Sequence, residues 1–328
     1  MQSAGLARAG RNHTRNRSSF TDPVEAKVGT SENYKLSNCQ LLTMLSAALL
    51  LCALTSPPEY SSTLATQLLH YAEAAYCPDS TVQSWSCAPC REEPGLNVSL
   101  VVSAARRDTH GFVGWDARGD GAVVVAFRGT DPLQIASWLV DLESAVLVPY
   151  AHCNGCKVGD GFLSAFTAIA NRTVGAVLAL AAEHPHAPIV LTGHSLGSAY
   201  VALLAMELWS VAPSLSLTLA TFGQPRVGNA AFANAYAARL ASQPAAGAWS
   251  WRLTHFADPV PHLPLEAMGF AHVQTEVHYG ELNEKYTVCD GSGEDPHCAD
   301  GVLVPLLLTD HWTYLGVNFL EEFVACKL

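Results

Sequence analysis

The chain has 328 residues, 49 % of them apolar and 14 % charged, with a formal net charge of −11. That is enough apolar material for a sizeable core and too little charge for a disordered chain. Residues 1–57 carry six Lys/Arg against three Asp/Glu, so residues 58–328 carry −14, which argues against nucleic acid as a partner and against docking on anionic membranes through charge.

In chain order, the first feature is Leu41 to Leu54, an apolar run broken only by Thr43 and Ser46 and followed by Thr55-Ser56-Pro57-Pro58. It is short for a membrane span and suits a signal-peptide core, with small residues near Ala53 and Thr55 for cleavage. Residues 1–40 are rich in Arg, Ser and Asn and longer than an ordinary leader. Two alternatives stay open: a true start at Met44 with cleavage after the run, which is favoured, or an uncleaved anchor through Leu41–Leu54. Secretion is therefore expected, and Asn97-Val-Ser and Asn171-Arg-Thr are glycosylation acceptors that fit it.

From about Tyr60 the pattern predicts one domain over 58–328. An amphipathic helix is expected over 60–76, with Leu64, Leu68, Leu69 and Tyr71 on one face. Strands follow at 98–104, 112–115 and 122–127, the last two joined as a hairpin by Ala117-Arg-Gly-Asp-Gly121. Next come a helix over 163–184, a strand over 188–191, a helix over 196–209 and a strand over 215–222. A helix over 230–241 and a strand over 249–256 complete the series. Apolar strands alternating with helices of ten or more residues give an α/β fold, a mostly parallel sheet covered on both faces.

The most informative segment is Ile189-Val-Leu-Thr-Gly193-His194-Ser195-Leu196-Gly197-Ser198-Ala199. It carries Gly-x-Ser-x-Gly with an apolar strand before it and a helix after it, the context that gives this pattern meaning. Gly193 and Gly197 remove the side chains that would clash at so sharp a turn. The Ser195 hydroxyl then projects above the sheet at a helix N-terminus. His194 adjoins Ser195 on a tight turn, cannot bond to it, and reads as a packing residue.

In α/β-hydrolases the triad runs Ser, acid, His along the chain. Asp258, in Ala257-Asp-Pro-Val-Pro-His-Leu-Pro264, stands where a strand leaves the sheet; on local grounds a turn-forming Asp-Pro is an equal alternative. Of the histidines beyond it, His262 is too near Asp258 and His297 lies in the polar Cys289–Cys298 loop. His311 follows the apolar run Val302–Leu308 and precedes Trp312, which predicts a semi-buried, fixed imidazole. His311 is the expected base for Ser195, with Asp258 fixing its tautomer.

Several ordered blocks are similar to the fungal-type triacylglycerol lipases, the class 3 lipase family. They include Ala72-Glu-Ala-Ala-Tyr-Cys77, Phe127-Arg-Gly-Thr130, Gly161-Phe162, Thr192-Gly-His-Ser-Leu-Gly197, Thr221-Phe-Gly-Gln-Pro-Arg-Val-Gly228, Asp258–Pro264, Gly269-Phe270 and Asp310-His311. The resemblance implies an α/β-hydrolase fold with a short helical lid, and a serine esterase acting on lipid esters without metal or organic cofactor. It implies an oxyanion hole from Thr130, through its N–H and hydroxyl, and from the Leu196 N–H. It also implies a lid in which Leu133, Ile135, Trp138 and Leu139 cover an acyl groove, although an ordinary surface helix is an equal reading. The Thr130-Asp131-Pro132 opening departs from the fungal pattern and is about two residues longer.

The body has eight cysteines, an even number suited to disulfides in an oxidising compartment. The resemblance pairs Cys77 with Cys326, Cys87 with Cys90, Cys153 with Cys156, and Cys289 with Cys298. A zinc site from Cys87, Cys90, Cys153 and Cys156 is disfavoured because the two pairs are expected to lie far apart. Rival activities are a phospholipase A1 or galactolipase, a feruloyl-type esterase, and a non-catalytic lipid-binding relative. A monomer is expected.

Overall fold

The computed structural model describes residues 59–104, 109–243 and 248–326. The Leu41–Leu54 run, Met44, Cys39 and Cys52 lie outside the described residues. The first helix, α1 (Ser62–Ala74), starts at Ser61, whose side chain accepts from the Leu64 N–H, a hydroxyl cap of the usual kind. A short α2 (Asp79–Gln83) leads to three antiparallel strands, β1 (Leu96–Ala104), β2 (Thr109–Asp116) and β3 (Ala122–Phe127). The hairpin expected at 117–121 is therefore present.

After β3 the chain forms α3 (Ile135–Leu142), the two-stranded pair β4 (Leu147–Pro149) and β5 (Lys157–Gly159), and the long α4 (Asp160–Glu183). Next come β6 (Ile189–His194), α5 (Leu196–Val211), β7 (Leu217–Phe222), α6 (Ala230–Ala241) and β8 (Trp249–His255). The sheet runs β1-β2-β3-β6-β7-β8 and continues through β9 (Glu276–Tyr279) and β10 (Tyr286–Val288). Pairings from β3 through β9 are parallel, and β10 is antiparallel. This is the α/β-hydrolase arrangement, its parallel centre flanked by helices.

Both faces of the parallel strands are dry because each strand sends alternate side chains to opposite cores. In β3, Val123, Val125 and Phe127 join the core under α4, α5 and α6, while Val124 and Ala126 join the core under α1 and the C-terminal helix. Continuous apolar strands follow from burial on both sides. Nearly all of α5 is buried, which places its N-terminus in the interior.

Strand β9 is not among the expected elements. In the fold Glu276 is buried and its carboxylate pairs with Arg252 of β8 at 2.9 Å, an ionic contact where periodicity looks for an apolar one. His311, expected to be semi-buried, is fully buried, while in the apolar run before it Leu303 is 96 % and Leu306 74 % exposed. The chain then forms α7 (Leu308–His311), the hairpin β11 (Thr313–Tyr314) and β12 (Val317–Asn318), and α8 (Phe319–Ala325). Asn318 Oδ1 caps α8 by accepting from Leu320 and Glu321 N–H.

Candidate active site

Between β6 and α5 a single residue, Ser195, makes the turn. Its φ of 55° and ψ of −127° lie in a region a side chain rarely adopts, which costs of order 1–3 kcal/mol and persists only where the surroundings enforce it. The enforcement is visible. Ser195 N–H donates to Phe222 O at 2.8 Å, and Ser198 Oγ donates to Gly193 O at 2.7 Å. A Cβ on Gly197 would overlap the carbonyl oxygens of Phe127 and Arg128, so β3 and α5 approach this closely only with glycine there.

Asp258 lies three residues beyond β8, and His311 ends α7; both are buried. His311 Nδ1 stands 2.9 Å from Asp258 Oδ2 and 3.1 Å from Oδ1. With the proton on Nδ1 facing the carboxylate, Nε2 keeps a lone pair. Val260 N–H donates to Asp258 Oδ1 at 2.8 Å, and Tyr314 Oη donates to Oδ2. Burial, and then the Asp258 charge, hold the Tyr314 phenol well above its ordinary pKa, so it remains a donor. Gly223 connects the two halves. It follows Phe222, which holds Ser195, and a Cβ on it would lie 2.9 Å from His311 Nδ1.

Thr130 follows β3 and is buried, and a Cβ on its neighbour Gly129 would lie 2.7 Å from Ser195 Cβ. Ser195 Oγ, His311 Nε2 and Thr130 Oγ1 are all buried and lack a hydrogen-bond partner among the described residues. Buried polar atoms are normally satisfied. Ser195 Oγ and His311 Nε2 make no hydrogen bond to each other here, which leaves both, with Thr130 Oγ1, free to meet a reacting group. Leu196 opens α5, so its N–H belongs to the first turn, which has no intrahelical acceptor.

Sequence reasoning missed how this frame is held. His194 is more than packing: its Nδ1 lies 2.7 Å from Tyr76 Oη, its Nε2 lies 2.8 Å from His311 O, and its ring stacks on Phe319 at 3.9 Å. Gly129 N–H donates to the same Tyr76 Oη at 2.9 Å. Tyr76 and His194 thus link the loop of Thr130 to the loop of His311. Burial, and then the neighbouring His311, push the His194 pKa well below its ordinary value, which keeps the link neutral. Tyr76, in the Ala-Glu-Ala-Ala-Tyr block, was the available signal.

A cavity of about 320 Å³ opens beside Thr130 and Leu196, walled by Trp138, Phe162, Ala165 and Tyr200. The expected lid set needs correction. Of Leu133, Ile135, Trp138 and Leu139, only Trp138 lines the cavity. Leu133 is 89 % exposed, Ile135 is buried in the core on the α1 side, and Leu139 is half-buried. The cause is helical phase. At about 100° per residue, Trp138 shares its face with Gln134, Ser137 and Asp141, and these polar residues look into the cavity.

Disulfides join Cys77 to Cys326, Cys87 to Cys90, Cys153 to Cys156 and Cys289 to Cys298. Among the described residues, two groups come close enough to share a cation. In one, Glu276 meets Cys289 and Cys298, whose sulfurs are bonded to each other. In the other, Glu266, Glu294 and Asp300 already surround the Arg226 guanidinium. Neither resembles an open metal site.

Comparison with known proteins bears on the family. The family described as lipase (class 3) matches residues 124–268. A lipase from Rhizomucor miehei is 34 % identical over 241 residues, 72 % of this chain and 63 % of the relative; the chain thus spans less than two thirds of that protein's length. A secreted mono- and diacylglycerol lipase A from Penicillium cyclopium is 34 % identical over 63 % of this chain and 67 % of its own. A solved triacylglycerol lipase, described as having a serine protease triad as its catalytic centre, superposes with a TM-score of 0.69. It is 32 % identical, over 79 % of this chain and 97 % of that one.

Proposed function

The chain belongs to the class 3 lipase family, and on that footing we propose that it hydrolyses carboxylic esters of lipids through an acyl-enzyme. Ser195 Oγ attacks the ester carbonyl while His311 Nε2 takes its proton. Asp258, oriented by Val260 N–H and Tyr314 Oη, stabilises the imidazolium that forms. Thr130 and Leu196 N–H groups, with the Thr130 hydroxyl, receive the oxyanion. The imidazolium then protonates the departing alkoxide, and water releases the acid by the same steps. The observation that supports this most is the buried set of Ser195 Oγ, His311 Nε2 and Thr130 Oγ1, each unpartnered.

Within that class, the polar face of α3 towards the cavity favours esters that keep a free hydroxyl, as mono- and diacylglycerols do. Four disulfides favour an oxidising, extracellular site of action. A substrate panel tests the reading: initial rates on mono-, di- and triacylglycerols, phosphatidylcholine and galactolipid at equal dispersion. Partial glycerides are expected to be cleaved fastest. Hydrolysis of feruloyl esters with none of any glyceride would contradict the lipid assignment.

A further inference from the structure

The stretch from Val302 to Leu308 contains no charged side chain, yet the fold leaves it in water. Leu303 is 96 %, Val304 63 %, Leu306 74 % and Leu307 46 % exposed. Isolated exposed leucines need no explanation, but four within five residues form the kind of contiguous apolar surface that soluble proteins keep for contact. The stretch is also held in place. On its N-terminal side, Ala299 N–H donates to the buried Glu276 carboxylate at 3.1 Å. On its C-terminal side, Leu307 N–H donates to Ala257 O at 3.1 Å, and Ala257 N–H donates to Asp310 Oδ2 at 3.1 Å. Pro305 stiffens the middle. Asp258 and His311 therefore flank its C-terminal anchor.

A second loop adjoins it. Arg226 binds Asp300 at 3.4 Å and Glu266 at 3.2 Å, and Leu265, next to Glu266 in the chain, is 47 % exposed. Arg226 also binds Glu294 at 2.7 Å. Three carboxylates around one guanidinium leave an excess of negative charge there, on a body that is acidic throughout.

We infer that Leu303, Val304, Leu306 and Leu307 form a fixed docking shelf that seats the protein on an uncharged lipid surface next to His311. The apolar side chains enter the lipid, and the acidic base beneath them repels anionic headgroups, which selects neutral or zwitterionic lipid. The shelf is separate from α3: its backbone is anchored to the Asp258 loop and needs no opening movement. This deepens the lipid-ester reading above and rests on it for the purpose of docking.

The test uses the full-length chain carrying Leu303→Asp and Leu306→Asp together, positions whose exposure spares the fold. Flotation with phosphatidylcholine vesicles should show bound protein falling by about tenfold or more. Cleavage of a dissolved short-chain p-nitrophenyl ester should stay within about twofold, because neither residue touches Ser195, Asp258 or His311. The parent should bind less as phosphatidylglycerol replaces phosphatidylcholine. Undiminished vesicle binding by the double variant overturns the shelf, whether residues 1–58 or a second copy cover it. So does a parallel loss of soluble-ester cleavage, and so does tighter binding to anionic vesicles. Lost binding in a protein that cleaves no lipid ester leaves the shelf standing and sinks the lipid-ester reading; retained binding in one that does has the reverse meaning.

Discussion

The turn at Ser195 and the helix α3 sit on either side of the same cavity, yet they obey different rules. At the turn the Ser195 N–H and the Gly193 carbonyl are bonded, a side chain at position 197 would overlap backbone carbonyls, and Ser195, Asp258 and His311 are buried. At α3 and the turn before it, Leu133 and Val140 face solvent, while Gln134, Ser137 and Asp141 line the mouth of the cavity and Ile135 and Leu142 pack into the protein. The first region is over-determined by the protein itself. The second is arranged for surroundings the chain does not supply, since apolar groups turned outwards gain only when something apolar meets them. The stretch 303–307 follows the second rule too, so chemistry and docking are built by opposite criteria within a few residues of His311.

Changes in the first region should therefore slow every ester alike, dissolved or aggregated. The largest such effect outside the triad is expected for Thr130→Val, which keeps the N–H and removes the hydroxyl. kcat should fall by about 10²-fold with little change in KM, as for loss of a single oxyanion donor. Steady-state kinetics on a dissolved ester checks this, and a change confined to emulsified lipid would move Thr130 to the other region. Tyr76→Phe comes next. It removes the shared partner of Gly129 N–H and His194 Nδ1, and kcat should drop by about tenfold, the value of one or two buried hydrogen bonds acting on positioning. His194 would then lose its anchor at Nδ1 without any change in substrate contact, so an effect on KM alone would count against the link.

The smallest effect on turnover is expected for Glu73→Gln in α1, which separates burial from function. Glu73 is as buried as the triad, and its pKa is pushed up to about 9 by burial and then by the charges of Glu322 and Glu92. Its folded pKa exceeds its unfolded one, so the folded state holds the extra proton between about pH 4.5 and 9. Stability is lost as pH rises through that window, by about 1.4 kcal/mol per pH unit at most. Glu73→Gln should leave kcat unchanged and raise Tm more at pH 8 than at pH 5. Equal Tm shifts at both pH values would show that the carboxyl does not stay protonated.

How much of this was legible in the sequence follows the same division. The strand–Ser–helix turn could be named because it demands specific residues at specific spacings, whereas Asp258 and His311 followed from chain order and the family resemblance. The bonds that hold them could not: Tyr76 meets His194 across 118 residues, and Tyr314 meets Asp258 across 56. Strand β9 was hidden because its inward Glu276 is satisfied by Arg252 rather than by apolar packing. Leu133, Ile135, Trp138 and Leu139 were expected to cover one groove together, but helical phase places only Trp138 of the four on the cavity.

The measurement that bears most directly on the account is the site of covalent trapping by an active-site-directed fluorophosphonate. Peptide mapping by mass spectrometry should find a single adduct on Ser195, absent in Ser195→Ala and formed at least about 10²-fold more slowly in His311→Ala. An adduct on a different residue, or labelling that persists undiminished in Ser195→Ala, would contradict it.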